Sequence, residues 1–146
     1  MHRRTFLTFS TALLGLAALP LRAWAALWNA PAFQANKLAD AMHVLGADIV
    51  KPSEQVTIIA PDKAENGAVV QVQIRSALAN TQSIALLVEK NPTVLIAQFD
   101  FMPGSVPEVI TRIKMAETSD VIALVKADGG FYVSKKLVEV LENGCG

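Results

Sequence analysis

Short segments of alternating apolar and polar residues recur about every ten residues from Gln55 onward, with turn residues between them and no helical stretch intervening. They predict a mainly β chain, an antiparallel β-sandwich of immunoglobulin-like type. Two further features frame it. An amphipathic stretch precedes the first strand and predicts an N-terminal helix, and the last four residues, Asn143-Gly144-Cys145-Gly146, read as a flexible C-terminal Gly-Cys-Gly arm.

The chain opens with Arg3-Arg4, an apolar run from Phe9 to Leu19, then Pro20, Arg22 and the small-residue site Ala23-Trp24-Ala25. This is the order of a secretory signal, with the twin-arginine form of its basic region. The apolar run is short for a bilayer span and is interrupted by Pro20 and Arg22. The predicted organisation is therefore a cleaved leader over residues 1–25, a sandwich domain over 26–142 and an arm over 143–146. Export by the twin-arginine route places the mature chain in the periplasm. That route moves folded proteins, so in a chain without a cofactor motif it points to a partner joined before export.

Residues 29–46 read as one amphipathic helix. Asn29 caps it, Pro31 suits its first turn and Gly46 its stop, with Phe33, Leu38, Ala41, Met42 and Leu45 near one face that docks on the same domain. The predicted strands are Gln55–Ile59, Val69–Arg75, Ser83–Glu89, Val94–Phe101, Glu108–Met115, Val121–Ala127, Phe131–Val133 and a last stretch at Leu137–Leu141. Turns are read at Glu65-Asn66-Gly67, Asn91-Pro92, Met102-Pro103-Gly104 and Asp128-Gly129-Gly130.

Composition narrows the chemistry. The chain has 13 basic and 13 acidic residues, and removing Arg3, Arg4 and Arg22 leaves a net charge of about −3, which does not favour nucleic acid or anionic lipid. It contains no dinucleotide-binding glycine motif, P-loop, CxxC or CxxCH. Beyond the leader, His43 and Cys145 are its only histidine and cysteine, too few soft ligands for a zinc or iron site, so no metal and no cofactor is expected. His43 reads as an ordinary helix residue. Glu65, Glu89, Asp100, Glu108, Glu117 and Asp120 fall near strand ends or turns, where charge is normally solvated, so no catalytic pair is predicted. Met102 and Met115 read as core or interface filler.

Cys145 is then the residue with chemistry. A structural thiol is usually buried, but one between Gly144 and Gly146 near a chain end has little to bury it and no second cysteine to pair with. It predicts a reactive thiol or an intermolecular bond.

The chain resembles the SoxY family, the sulfur-carrier subunits of the thiosulfate-oxidising Sox system. The likeness runs from about Trp28 to the end. Its pieces are Ala64-Glu65-Asn66-Gly67, Glu89-Lys90-Asn91-Pro92, Thr111-Arg112-Ile113-Lys114-Met115, Glu117-Thr118-Ser119 with Val121, Ala127-Asp128-Gly129, the twin-arginine leader and the terminal cysteine. The resemblance implies a non-enzymatic periplasmic carrier that holds sulfur as thiosulfonate or persulfide on Cys145. It also implies a heterodimer with a SoxZ-type small subunit, and transient docking to a c-type cytochrome, a sulfate-releasing hydrolase and, in some organisms, a sulfane dehydrogenase. The family tail is Gly-Gly-Cys-Gly-Gly. Here Asn143 stands in place of the first glycine and the sequence stops one glycine after Cys145, which brings a carboxylate near the thiol and should disfavour the thiolate. A structural or regulatory paralogue whose cysteine only forms an intermolecular disulfide is the alternative, and a stand-alone enzyme is the third reading.

Overall fold

A computed structural model describes residues 29–142. The predicted leader over 1–25 and the arm over 143–146 lie outside the described residues.

The chain is mainly β, in two sheets. After helices α1 (Ala30–Gln34) and α2 (Leu38–Val44) come strands β1 (Val50–Pro52), β2 (Val56–Ile59), β3 (Lys63–Asn66), β4 (Val70–Ser76), β5 (Thr81–Val88), β6 (Leu95–Asp100), β7 (Glu108–Ile113), β8 (Ser119–Ala127) and β9 (Gly130–Glu142). The larger sheet has the order β1-β9-β8-β5-β6, with β3 also on β9; the smaller is β2-β4-β7. The predicted strands from Gln55 onward recur within a residue or two. The last two are one, because Ser134, Lys135 and Lys136 stay paired with Ala123, Ile122 and Val121 of β8 and the backbone ladder continues through the polar residues.

Side-chain alternation sorts the core. Val72 and Ile74 of β4 and Val109 and Ile113 of β7 face Ile84, Leu86, Val88, Val121 and Val125 of the larger sheet, forming the layer between the sheets. The intervening residues Ala85, Leu87, Ile122 and Leu124 face the other way, onto the helices, where Ala32, Ala41, Leu38 and Met42 cover them. Each fully buried aliphatic side chain contributes about 1.5–3 kcal/mol relative to exposure. This second layer explains why β5 and β8 read as nearly continuous apolar runs.

Three expectations need correction. The helix predicted over 29–46 is two short helices. Asn29 does cap the first, its side chain accepting from Ala32 at 3.4 Å, and Gly46 does end the second with φ +76°. Between them Ala35 is extended, and its carbonyl accepts from the Val94 amide at 3.1 Å; a tertiary bond replaces a helical one. The pairing is also not wholly antiparallel, since β1 and β3 both run parallel to β9. Pro52 fits β1 because that strand is an edge. Lastly, Glu65 and Asn66 belong to strand β3 rather than a turn; the turn begins at Gly67, where Asn66 Oδ1 accepts from the Ala68 amide at 2.7 Å.

The turn of the β8–β9 hairpin was legible at Asp128-Gly129, although Gly130, read as part of the turn, is the first residue of β9. Ala127 pairs with Gly130, and Asp128 and Gly129 between them have φ of 47° and 73°, the left-handed pair that a two-residue loop of matching twist demands.

Candidate functional site

Cys145, Asn143, Gly144 and Gly146, and likewise Arg3 and Arg4, lie outside the described residues. The structure does show what they are attached to: Glu142, at the end of β9, and the residues that hold it.

Strand β9 is anchored on both edges. Glu139, Val140 and Glu142 lie opposite Lys63, Ala64 and Asn66 of β3. The Gly67 amide donates to the Glu142 carbonyl at 2.9 Å, and the Glu139 amide to the Asp62 carbonyl at 2.9 Å. On the other edge, beyond the end of β8, the Val140 amide donates to Thr118 Oγ1 at 2.9 Å. Val138 and Val140 are buried in the core, while Leu137 and Leu141 point outward and are exposed. Two surface ion pairs, Lys63 with Glu139 at 3.1 Å and Lys136 with Asp62 at 3.0 Å, flank the strand. The last β9 residues therefore form a firm base.

A second tier supports the first. The Met115 amide donates to the Gly67 carbonyl at 2.8 Å, with the Met115 side chain fully buried. Buried Asn91 bridges two backbone groups beside it: its Nδ2 donates to the Lys114 carbonyl and its Oδ1 accepts from the Ala116 amide, both at 2.8 Å. The Lys90 amide donates to Ser119 Oγ at 3.1 Å. Thus Ala64–Gly67, Glu89–Pro92, Thr111–Met115 and Glu117–Ser119, scattered in sequence, converge where the segment bearing Cys145 departs. Ala127-Asp128-Gly129 does not join them; it is the hairpin at the opposite end of β9. Sequence reasoning took each segment as a weak turn or strand signal and missed Asn91 and Thr118 as supports. An asparagine before proline is the one cue that singled out Asn91.

The titratable groups are dispersed. His43 Nδ1 lies 2.7 Å from Asp48 Oδ1, both exposed, and this hydrogen bond, with the Asp48 charge behind it, raises the imidazole above its ordinary 6.5. Glu108 is held below the usual carboxylate range by hydrogen bonds from Arg75, at 2.9 Å, and then from Gln73. Glu117 lies 3.7 Å from Lys90. Among the described residues no group of three or more His, Cys, Asp or Glu could hold a metal ion, and no helix is long and apolar enough to cross a membrane. Met115 is core, whereas Met102 is exposed on the loop before β7. Geometrically, the residues around Glu142 hold the last part of β9 by hydrogen bonds on both of its edges.

The family model "Sulfur oxidation protein SoxY" matches residues 41–145, so the match runs to Cys145. The solved structure of the sulfur carrier protein SoxY from Chlorobium limicola f thiosulfatophilum is 34% identical, with a TM-score of 0.67, covering 77% of this chain and 99% of that one. Superoxide reductase (neelaredoxin) from Ignicoccus hospitalis, at 21% identity and a TM-score of 0.52 over 60% of this chain and 80% of its own, shares the fold alone. No curated protein sequence matches the chain. A family match over most of the chain, joined to a carrier structure aligned over nearly its whole length, decides the matter: this chain belongs to the SoxY family of sulfur oxidation proteins.

Proposed function

We propose that the chain is a periplasmic covalent sulfur carrier, loaded on Cys145 and without catalysis of its own. The observation that supports it most is the family match extending to Cys145, together with the anchored strand that leads there. In the first step the Cys145 thiolate forms a sulfur–sulfur bond to the outer sulfur of thiosulfate, and two electrons leave to a c-type cytochrome. Water then cleaves the bond to the sulfone sulfur at a hydrolase, releasing sulfate and two protons and leaving a persulfide on Cys145. A sulfane dehydrogenase, where one exists, would oxidise that persulfide further.

Physical reasoning supports the division of labour. From Glu142 to Cys145 is three residues, a reach of about 10 Å when extended. Gly144 and Gly146 keep the segment narrow enough to enter a buried site on another protein. Ordering it costs conformational entropy, so each visit is weak and reversible, as a carrier requires. The twin-arginine leader with Arg3 and Arg4 would export the chain folded, together with a SoxZ-type small subunit.

Intact-mass spectrometry of the mature chain from its own periplasm, before and after reduction, tests this reading. Reducible sulfur adducts mapped to Cys145 and absent from Cys145→Ser, with a co-purifying small subunit, are expected. A thiol that stays unmodified when thiosulfate and the sulfur-transfer enzymes are supplied would overturn it in favour of a structural paralogue.

A further inference from the structure

The smaller sheet, β2-β4-β7, has two edge strands, and they differ. β2 is four residues long, with Pro61 soon after it. β7 has six residues, Glu108–Ile113, in unbroken register with β4, and holds no Pro, Lys or Gly. Short strands, Pro, Lys and bulges are the usual devices that keep an edge from pairing, and β7 has none of them. Its backbone directions follow from one bond, the Ser76 amide donating to the Pro107 carbonyl at 3.0 Å. Bonded pairs alternate along an antiparallel ladder, so Val109, Thr111 and Ile113 turn their backbone groups toward β4. Ile110 and Arg112 turn theirs to the open edge, with the Glu108 carbonyl. The Glu108 amide is already used, donating to the Val106 carbonyl at 2.9 Å.

The side chains of Glu108, Ile110 and Arg112 share the outer face, opposite buried Val109 and Ile113. Ile110 is 64% exposed. Arg112 has no ion pair among the described residues. Glu108 receives Arg75 and Gln73 on one oxygen, Oε1, which leaves Oε2 open.

We propose that β7 pairs antiparallel with β7 of a second copy of this chain, across a two-fold axis at Ile110, joining two three-stranded sheets into one of six strands. The segment is self-complementary about that point. Ile110 meets its counterpart, and Glu108 of each copy lies opposite Arg112 of the other. The outward backbone groups also match. Each Ile110 amide donates to the opposing Ile110 carbonyl, and each Arg112 amide to the opposing Glu108 carbonyl. Sliding the register by two residues sets Ile110 against a charged residue instead, and sliding by one turns the bonding groups away from each other.

This inference does not rest on the carrier reading, and the two fail separately. A chain that loads sulfur on Cys145 without pairing through β7 overturns only this one; a paired chain that never loads overturns only the other.

The test is cross-linking in the periplasm, in a Cys145→Ser background that removes the native thiol. Opposed residues of a bonded pair have Cα atoms about 5.5 Å apart, within the range of about 4.4–6.8 Å that a disulfide spans. Ile110→Cys should therefore join two copies of this chain, with mass spectrometry mapping the disulfide to the two substituted positions. Ile59→Cys, exposed in the same cross-strand row but on β2, should not. Adding Arg112→Glu, which sets two carboxylates opposite each other, should lower the cross-linked yield several-fold, while Arg112→Lys keeps it. No cross-link from Ile110→Cys, a link to a different protein, equal links from Ile59→Cys, or a yield unmoved by Arg112→Glu overturns the proposal. Should Ile110→Cys fail to fold, sedimentation of the Cys145→Ser chain from about 1 to 100 μM decides, a range that covers weak association. A dimer that Arg112→Glu dissociates supports the pairing, and a monomer throughout overturns it.

Discussion

The amide of Gly67 donates to the carbonyl of Glu142 at 2.9 Å, and its own carbonyl accepts from Met115 at 2.8 Å. One buried residue thus ties the end of β9 to the segment that follows β7. Gly67→Pro removes the donor and should cost about 1 kcal/mol or more. Urea denaturation reads the loss, and faster amide exchange at Leu141 and Glu142 would locate it at the end of β9. Unchanged exchange there would mean that β3 pairing alone holds the strand.

Asn91 is 8% exposed and serves two backbone groups at once, the Lys114 carbonyl and the Ala116 amide. Truncation leaves both without a partner. Asn91→Ala is expected to lower stability by about 2–6 kcal/mol, from about 1–3 kcal/mol for each of the two groups left unsatisfied. Chemical denaturation with an unchanged slope is the appropriate measurement, and a loss below 1 kcal/mol, on the order of one ordinary hydrogen bond, would show that water replaces the side chain.

His43 carries a pH signature. Its hydrogen bond to Asp48, then the Asp48 and Asp40 charges, raise its folded midpoint above 6.5. The associated stabilisation is complete below about pH 6.5, the unfolded midpoint, and is lost as pH rises through the folded one. Both partners are exposed, so the effect on stability is small. Nuclear magnetic resonance titration should place the His43 midpoint above 6.5 and return it toward that value in Asp48→Asn; a midpoint unmoved by the substitution would remove Asp48 as the cause.

Within the proposed carrier function, Gly144→Val adds bulk beside a thiol it leaves intact. Reaction of Cys145 with a small disulfide reagent should be unchanged, while sulfur transfer to or from a partner enzyme falls by about 10- to 100-fold. Equal losses in both assays would point to altered thiol chemistry rather than to docking.

Much of the fold was legible because alternation and turn chemistry are local. Val70, Val72 and Ile74 announce one face of β4, and Asp128-Gly129 announces its hairpin. The split of the N-terminal helix was not legible, since the Val94 amide that captures the Ala35 carbonyl lies far along the chain. At the candidate site, Cys145 stood out by its placement, whereas Asn91, Thr118 and Gly67 did not. Their roles are side-chain or backbone bonds to groups that only folding brings near.

The sequence by itself determined the mainly β class, most strand positions and the residues that carry the likeness to the SoxY family, because side-chain period and motif order are written along the chain. Tertiary structure alone decided that β1 and β3 lie parallel to β9, that β9 is one long strand, and that four separate motifs meet around Glu142. Those outcomes rest on backbone hydrogen bonds between distant segments, and such bonds leave no side-chain pattern in the sequence to be read.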